Sequence, residues 1–355
     1  MANTGSVMLN QKFDELPKES FWECHDLYQW EGFWYYEDII QGMLAFQSDY
    51  EALSDDVILA SSMKTGTTWL KALCVSIMRR QSQGVENVPH AHTRTSEYDV
   101  CGDNLHPDLG RQSKSSDQKG ILDDVAEDDI LTENVPHAHI RTLEYDVYRD
   151  NLHPDFSGMP SPRLFHTHLP YSALPDSIKN SDCKIVYIAR NPKDTLVSLW
   201  HFFNKISRPN QEPYSLEKAY DAFRKGVHLY GPYFDHVLEY WSESLKNPDR
   251  ILFLKYEELK SDPKGQVKRL ASFLGRPFVN EDEVEKVLWR SSLERLKNLE
   301  VNKNGVFFHL KIPNSSFFRL GVVGDWKNYF TDEMKRDLDE LTRIKLEGSG
   351  LHFDF

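Results

Sequence analysis

Four short segments of this chain carry residue types that can grip an anion or move a proton. In the first, Met63 to Trp69, a glycine-containing turn opens a helical pattern. Such a turn exposes backbone N–H groups and the positive end of the helix dipole. Lys64 adds a charge, and Thr65, Thr67 and Thr68 add hydroxyl donors, a set suited to phosphate or phosphosulfate. The pattern is not G-x-x-x-x-G-K-[ST], because Lys64 precedes Gly66 and Ser61 stands where the first glycine would be. On spacing alone, a Thr-capped helix start with a solvated lysine fits equally well. In the second segment, Arg190 ends an apolar strand pattern and Ser198 follows about two helical turns later. An arginine there can hold a phosphate bidentately. It can also simply pair with Asp194.

The third segment is Leu164 to Pro170. His166 and His168 lie two residues apart at a strand end and share a face if the strand runs that far. A histidine so placed can act as a general base near neutral pH, or be satisfied by a carbonyl. Pairs such as His166/His168 and His137/His139 also raise the question of a metal. No cysteine or acidic partner stands at metal-site spacing, so no metal is expected. The fourth segment, Phe317 to Lys327, combines Arg319 with Gly321 and Gly324, which allow close backbone approach.

The elements that must position these groups alternate. Val57–Ser61, Arg163–Thr167, Lys184–Ala189 and Ile251–Leu254 read as strands. Helical periods cover Thr67–Arg80, Pro192–Asn204, Tyr214–Lys225, Phe234–Leu245, Lys264–Leu274, Glu281–Trp289 and Glu333–Ile344. Gly305–Gly324 reads as a loop, and Phe21–Phe46 as an aromatic segment across the core or along a pocket. The alternation predicts an α/β fold in three layers, with a central, mostly parallel sheet flanked by helices.

An internal repeat interrupts the pattern. Glu86–Asp108 and Glu133–Asp155 are identical at 19 of 23 positions, offset by 47 residues. Two copies are too few for a solenoid. The second runs straight into a strand, so it takes the native slot. We therefore expect a flexible tail over 1–20 and a single domain over 21–355, interrupted by a duplicated, mobile insertion at about 86–132.

Composition sets the outer limits. The 355 residues are 40% hydrophobic and 12% aromatic, enough for a sizeable core. A net charge of −13 argues against nucleic acid or anionic membrane as partner, though a local cationic pocket can still hold a small anion. The four cysteines form no CxxC pair, and the N-terminus lacks the apolar run of a secretory signal, so a cytoplasmic location is expected.

Taken in order, the four segments resemble the cytosolic sulfotransferase family, most closely its plant members. LASSMKTGTTWLKAL looks like its 5′-phosphosulfate loop, CKIVYIARNPKDTLVSLWHF its 3′-phosphate segment, and FFRLGVVGDWKNYFT its C-terminal nucleotide loop. The resemblance spans Phe33 to about Ile344, the inserted copy apart. It implies a P-loop-like fold and the donor 3′-phosphoadenosine 5′-phosphosulfate (PAPS), with no metal. It implies Lys64, Thr65, Gly66, Thr67 and Thr68 around the 5′-phosphosulfate, and Trp69 and Tyr256 on the adenine. Arg190, Ser198, Arg319, Leu320 and Gly321 would surround the 3′-phosphate. His168, in THLP, matches the catalytic base, with Lys64 assisting. The acceptor would be a small hydroxylated molecule of flavonoid, steroid-like or desulfoglucosinolate type. Three positions depart from the pattern: Leu320 replaces a lysine, Leu293 an aromatic and Met63 a proline. These leave a catalytically weakened nucleotide-binding paralogue as an alternative. A P-loop kinase or NTPase lacks its loop here. Asp332 and Arg336 interrupt the family's dimer pattern, so a monomer is expected.

Overall fold

The computed structural model describes residues 13, 15–80, 129–307 and 311–353. At its centre, β4 (Val57–Ser61), β5 (Leu164–Thr167), β6 (Lys184–Ala189) and β7 (Ile251–Lys255) form a sheet in the order β5-β4-β6-β7. Every pairing is parallel. These strands are short runs of Val, Ile, Leu, Phe and Tyr, as expected for strands buried on both faces. Alternate residues enter opposite cores. Ile58, Ala60, Ile185, Tyr187 and Ala189 pack on one side. Val57, Leu59, Val186 and Ile188 pack on the other. Helices cover both faces, giving the three layers expected.

The ladder register sets the chemistry. Ala60 stands opposite Thr167, Ser61 opposite Ile188, and Ala189 opposite Lys255. All four strands therefore end at one rim. The segments beginning at Ser62, His168, Arg190 and Tyr256 leave that rim side by side. This is where open parallel sheets bind ligands.

Besides the short helix Tyr256–Ser261, which opens on Tyr256, two helices leaving the rim carry site residues. Before them in the chain comes α1 (Glu37–Asp49); they are α2 (Thr67–Met78) and α3 (Pro192–Ser207). Helix α3 starts sharply. The Asn191 side chain accepts from Lys193 N, and Pro192 fits the first turn, where its missing N–H costs nothing. Such a cap contributes about 1 kcal/mol. Helices α4 (Tyr233–Lys246) and α5 (Asp332–Leu346) lie further along the chain.

The aromatic segment near the N-terminus is more structured than its composition indicated. It forms an antiparallel three-stranded sheet of β1 (Lys18–Phe21), β2 (His25–Trp30) and β3 (Phe33–Tyr35), which leads into α1. Residues 18–20, expected in a tail, pair within that sheet. The Gly305–Gly324 loop also contains a small hairpin, β8 (Val306–Phe307) with β9 (Ile312–Pro313), and a 3₁₀ turn over Asn314–Phe317. Local pairing there is too short to give a readable period.

The second repeat copy is built into the fold. Pro136–His139 forms a helical turn, and Leu143–Val147 a π-helical turn. Val135, Leu143, Val147 and Tyr148 are buried in the main core. Leu131, within the span expected as insertion, is buried too. Glu86–Asp108 and the polar stretch after it lie outside the described residues. Among the described residues, those up to Met78 and from Ile130 onward form one compact unit.

Candidate active site

The first segment makes a strained turn before α2. Lys64 takes φ +64° and Gly66 φ +120°. A left-handed lysine costs roughly 1–3 kcal/mol, a strain that clusters at functional loops. A Cβ on Gly66 would sit 2.9 Å from both Ile188 Cδ1 and Tyr256 Cδ2, so the loop closes against β6 only with glycine there. Thr65 is a brace. Its hydroxyl is 2.9 Å from both Ser62 O and Ile188 O, which leaves its side chain no role on the cavity wall. Leu70 N donates to Gly66 O, the first helical bond of α2. The N–H groups of Thr67, Thr68 and Trp69 therefore lack intrahelical acceptors.

A cavity of about 1050 Å³ opens over this loop. Its walls include Lys64, Gly66, Thr67, Thr68, Trp69, His168, Arg190, Ser198, Tyr256, Arg319 and Gly321. Of the site residues expected from sequence, Thr65 and Leu320 are the two off the wall, and the Leu320 side chain is exposed. Lys64 Nζ sits 4.1 Å from the centroid of Phe202. Its pKa is lowered to about 7, first by burial, then by the positive charges of Arg190, Arg319 and Lys205.

Arg190 leaves β6 buried. Its guanidinium lies 4.5 Å from the Tyr256 ring centroid, and Nη2 donates to Val322 O at 2.8 Å. The same nitrogen is 3.6 Å from Asp194 Oδ2. Arg190 thus has the Asp194 partner that its sequence allowed, and it lines the cavity as well. Its buried Nε and the buried Nε of Arg319 have no hydrogen-bond partner. Buried unpaired donors are costly, so these two nitrogens are suited to an anion. The C-terminal loop is pinned by Asp194, whose carboxylate accepts from Gly324 N at 2.7 Å and Trp326 N at 3.1 Å. Gly321, at φ +63°, passes so close to Leu293 that a Cβ would meet Leu293 Cδ2 at 2.3 Å.

His168 is the best-held group on the wall. Its N–H donates to Glu144 Oε1 at 2.8 Å, and its carbonyl accepts from His236 Nε2 at 2.8 Å. Its Nδ1 lies 2.8 Å from Ser61 O. A carbonyl only accepts, so Nδ1 carries the proton and Nε2 is the basic nitrogen. Burial dominates in depressing the His168 pKa to about 3, so the ring is neutral at pH 7. The same burial raises the Glu144 pKa to about 7, while the bonds from His168 N and Thr167 pull it back.

Sequence reasoning missed several wall residues. Tyr230, with its ring 5.2 Å from His168, comes from a loop before α4. Phe202 and Phe203 come from α3, whereas His25, Asp26, Tyr36 and Asp38 come from Phe21–Phe46, the segment whose aromatics allowed a place along a pocket. His137, Thr142, Tyr145 and Asp146 come from the second repeat copy. Asp146 is buried, with Oδ2 accepting from Thr142 N at 2.9 Å and Oδ1 without a partner. A signal for His137 was present in its repeated His-x-His, which raised the question of a metal that the missing cysteine and acidic partners argued against. Instead, His137 bonds Thr68 and Lys71. Among the described residues no His, Cys, Asp and Glu cluster is arranged to hold a metal.

A family model described as a sulfotransferase domain matches residues 54–350. Cytosolic sulfotransferase 12 of Arabidopsis thaliana is 38% identical over 342 residues, covering 95% of this chain and 91% of the relative. Cytosolic sulfotransferase 8 of the same plant is 41% identical over 335 residues, 92% of this chain and 87% of the relative. The crystal structure of a mouse sulfotransferase, SULT7A1, complexed with PAP, aligns with TM-score 0.63 at 29% identity, covering 91% of this chain and 95% of that one.

Proposed function

Because this chain belongs to the sulfotransferase family, we propose that it transfers a sulfuryl group from PAPS to a hydroxyl of a small acceptor. One observation carries the reading. His168, its Nδ1 engaged by Ser61 O, offers Nε2 in the same cavity as Lys64, Arg190 and Arg319. A neutral base and a cationic anion cradle are thereby held on one rigid rim.

Lys64 and the N-terminus of α2 would hold the 5′-phosphosulfate, with Thr67 and Thr68 donating from their hydroxyls. The unpaired Nε groups of Arg190 and Arg319 would take the 3′-phosphate, beside Ser198 and Gly321. Trp69 and Tyr256 would flank the adenine. His168 Nε2 accepts the acceptor proton as that oxygen bonds to sulfur. The bond from sulfur to the bridging oxygen breaks, and Lys64 stabilises the charge left on the 5′-phosphate. Sulfuryl transfer carries less negative charge than phosphoryl transfer, so amides and cations suffice without a metal.

The acceptor end supports a flat molecule with more than one hydroxyl. Phe202, Phe203 and Tyr230 supply aromatic wall, and Asp146 Oδ1 calls for a second hydrogen-bond donor. Flavonoid and desulfoglucosinolate acceptors fit this better than a steroid with one hydroxyl. We also propose a cytoplasmic monomer, in keeping with the names of the plant relatives and the interrupted dimer pattern. The test is an assay of purified protein with radiolabelled PAPS against phenols, flavonoids, steroids and desulfoglucosinolates. Sulfated product from a polyhydroxylated acceptor is expected. No transfer to any of them would overturn the reading.

A further inference from the structure

Beneath the Lys64–Trp69 loop lies a chain of buried polar groups that the mechanism above does not use. Lys71, one turn into α2, is fully buried. Its Nζ lies 3.2 Å from His137 Nδ1 and 3.4 Å from Thr142 Oγ1. His137 Nε2 lies 3.0 Å from Thr68 Oγ1. On the other branch, Thr142 Oγ1 lies 3.2 Å from His166 Nδ1, and His166 Nε2 lies 3.0 Å from Ser61 Oγ. Ser61 Oγ in turn is 2.8 Å from Thr67 Oγ1. Both branches therefore start at Lys71 and end on adjacent threonines of the cavity wall.

The donor inventory gives these contacts a direction. Burial lowers the Lys71 pKa to about 8, which still leaves it an ammonium at pH 7, with three donors and no acceptor. His137 Nδ1 must then accept, which puts the single ring proton on Nε2, facing Thr68. Burial and the nearby Lys71 charge keep His137 neutral, so it has one proton only. Thr68 Oγ1 accepts that proton and keeps its own for the cavity. Along the other branch, Thr142 accepts from Lys71 and donates to His166 Nδ1. His166 donates from Nε2 to Ser61, and Ser61 donates to Thr67, whose proton is again left for the cavity. Chains ordered in this way polarise one another, by about 10–30% per bond.

We propose that Lys71 is a positioning residue. Acting through His137 on one side and Thr142, His166 and Ser61 on the other, it turns the hydroxyl protons of Thr68 and Thr67 into the cavity, toward the 5′-phosphosulfate oxygens of the donor. This rests on the donor assignment above. It also gives the second repeat copy a specific task, since His137 and Thr142 both come from it.

Two measurements test it. The first uses the wild-type protein without ligand. Histidine ¹⁵N NMR, with the His137 resonances identified by their loss in His137→Gln, should show the Nε2–H tautomer at His137. An Nδ1–H tautomer overturns the proposal. The second is calorimetry with 3′-phosphoadenosine 5′-phosphate. Lys71→Met should weaken binding roughly tenfold, with the acceptor KM at saturating donor unchanged. Adding Lys71→Met to the Thr67→Val/Thr68→Val pair should cost less than a further twofold, because no hydroxyl remains to be turned. A full second tenfold loss, or undiminished binding by a folded Lys71→Met, overturns the proposal. Should the wild type bind no nucleotide, the donor reading fails. The His137 tautomer then still decides whether Lys71 orders the relay.

Discussion

The two ends of the cavity are built on opposite principles. The proposed donor end draws on Lys64, Arg190 and Tyr256, which leave the ends of adjacent parallel strands, and on a loop pinned by Asp194. Its groups are cations, hydroxyls and helix amides. The proposed acceptor end is assembled from the N-terminal sheet, the second repeat copy, α3 and the loop before α4, and is walled by Tyr36, Tyr145, Phe202, Phe203 and Tyr230. His168 stands at the boundary. On the proposed reading, the rigid half would fix one ligand of constant chemistry. The other half is made of elements that pack against the sheet from outside it.

This contrast can be broken by substitution. The largest effect is expected at the boundary. His168→Ala should lower kcat by about 10²–10⁴ while leaving 3′-phosphoadenosine 5′-phosphate affinity within twofold by calorimetry. A fully active variant would remove His168 as the base. At the donor end, Arg190→Ala should weaken nucleotide binding by roughly 10–100-fold, since it removes a buried charged donor set. If KM for the acceptor rises instead, the two ends have been assigned the wrong way round.

At the acceptor end, Asp146→Leu should erase a preference of about tenfold for a dihydroxy acceptor over its monohydroxy analogue, with nucleotide affinity intact. Equal preference in both proteins would separate Asp146 from recognition. A pH series sharpens the electrostatic side. Lys64 is depressed to about 7 when the cavity is free of anions. An anion favours its protonated form and raises its pKa, so binding takes up a proton. Nucleotide affinity should be greatest below pH 7 and fall as pH rises, by at most tenfold per unit. Loss of this slope in Lys64→Met, against its persistence, decides the assignment. The smallest effect belongs to Leu320→Lys. Its side chain is exposed and off the wall, so nucleotide affinity should change less than threefold.

Much of the donor end was legible because its determinants are local. A strand of apolar residues, a glycine turn and a helix start are contiguous in sequence, and Lys64, Gly66, Thr67 and Arg190 lie where such local geometry puts them. Thr65 shows the limit of that reasoning. Its hydroxyl looks like one more ligand donor, yet it braces the loop on Ser62 and Ile188, and Ile188 lies 123 residues away. The N-terminal aromatic segment shows another limit. Its strands are three to six residues long and turn over before a period can emerge.

By itself, the sequence determined the four core strands and the helices after them, the family, a candidate anion-binding loop and His168 as a candidate base, because each is written in neighbouring residues. Tertiary structure decided what those residues do with their protons. Ser61 O selects the His168 tautomer from 107 residues away, and Lys71 meets His137 and Thr142 only because the second repeat copy packs against α2. Hydrogen-bond direction depends on which donor faces which acceptor. That pairing is fixed only when distant segments are brought within about 3 Å of one another.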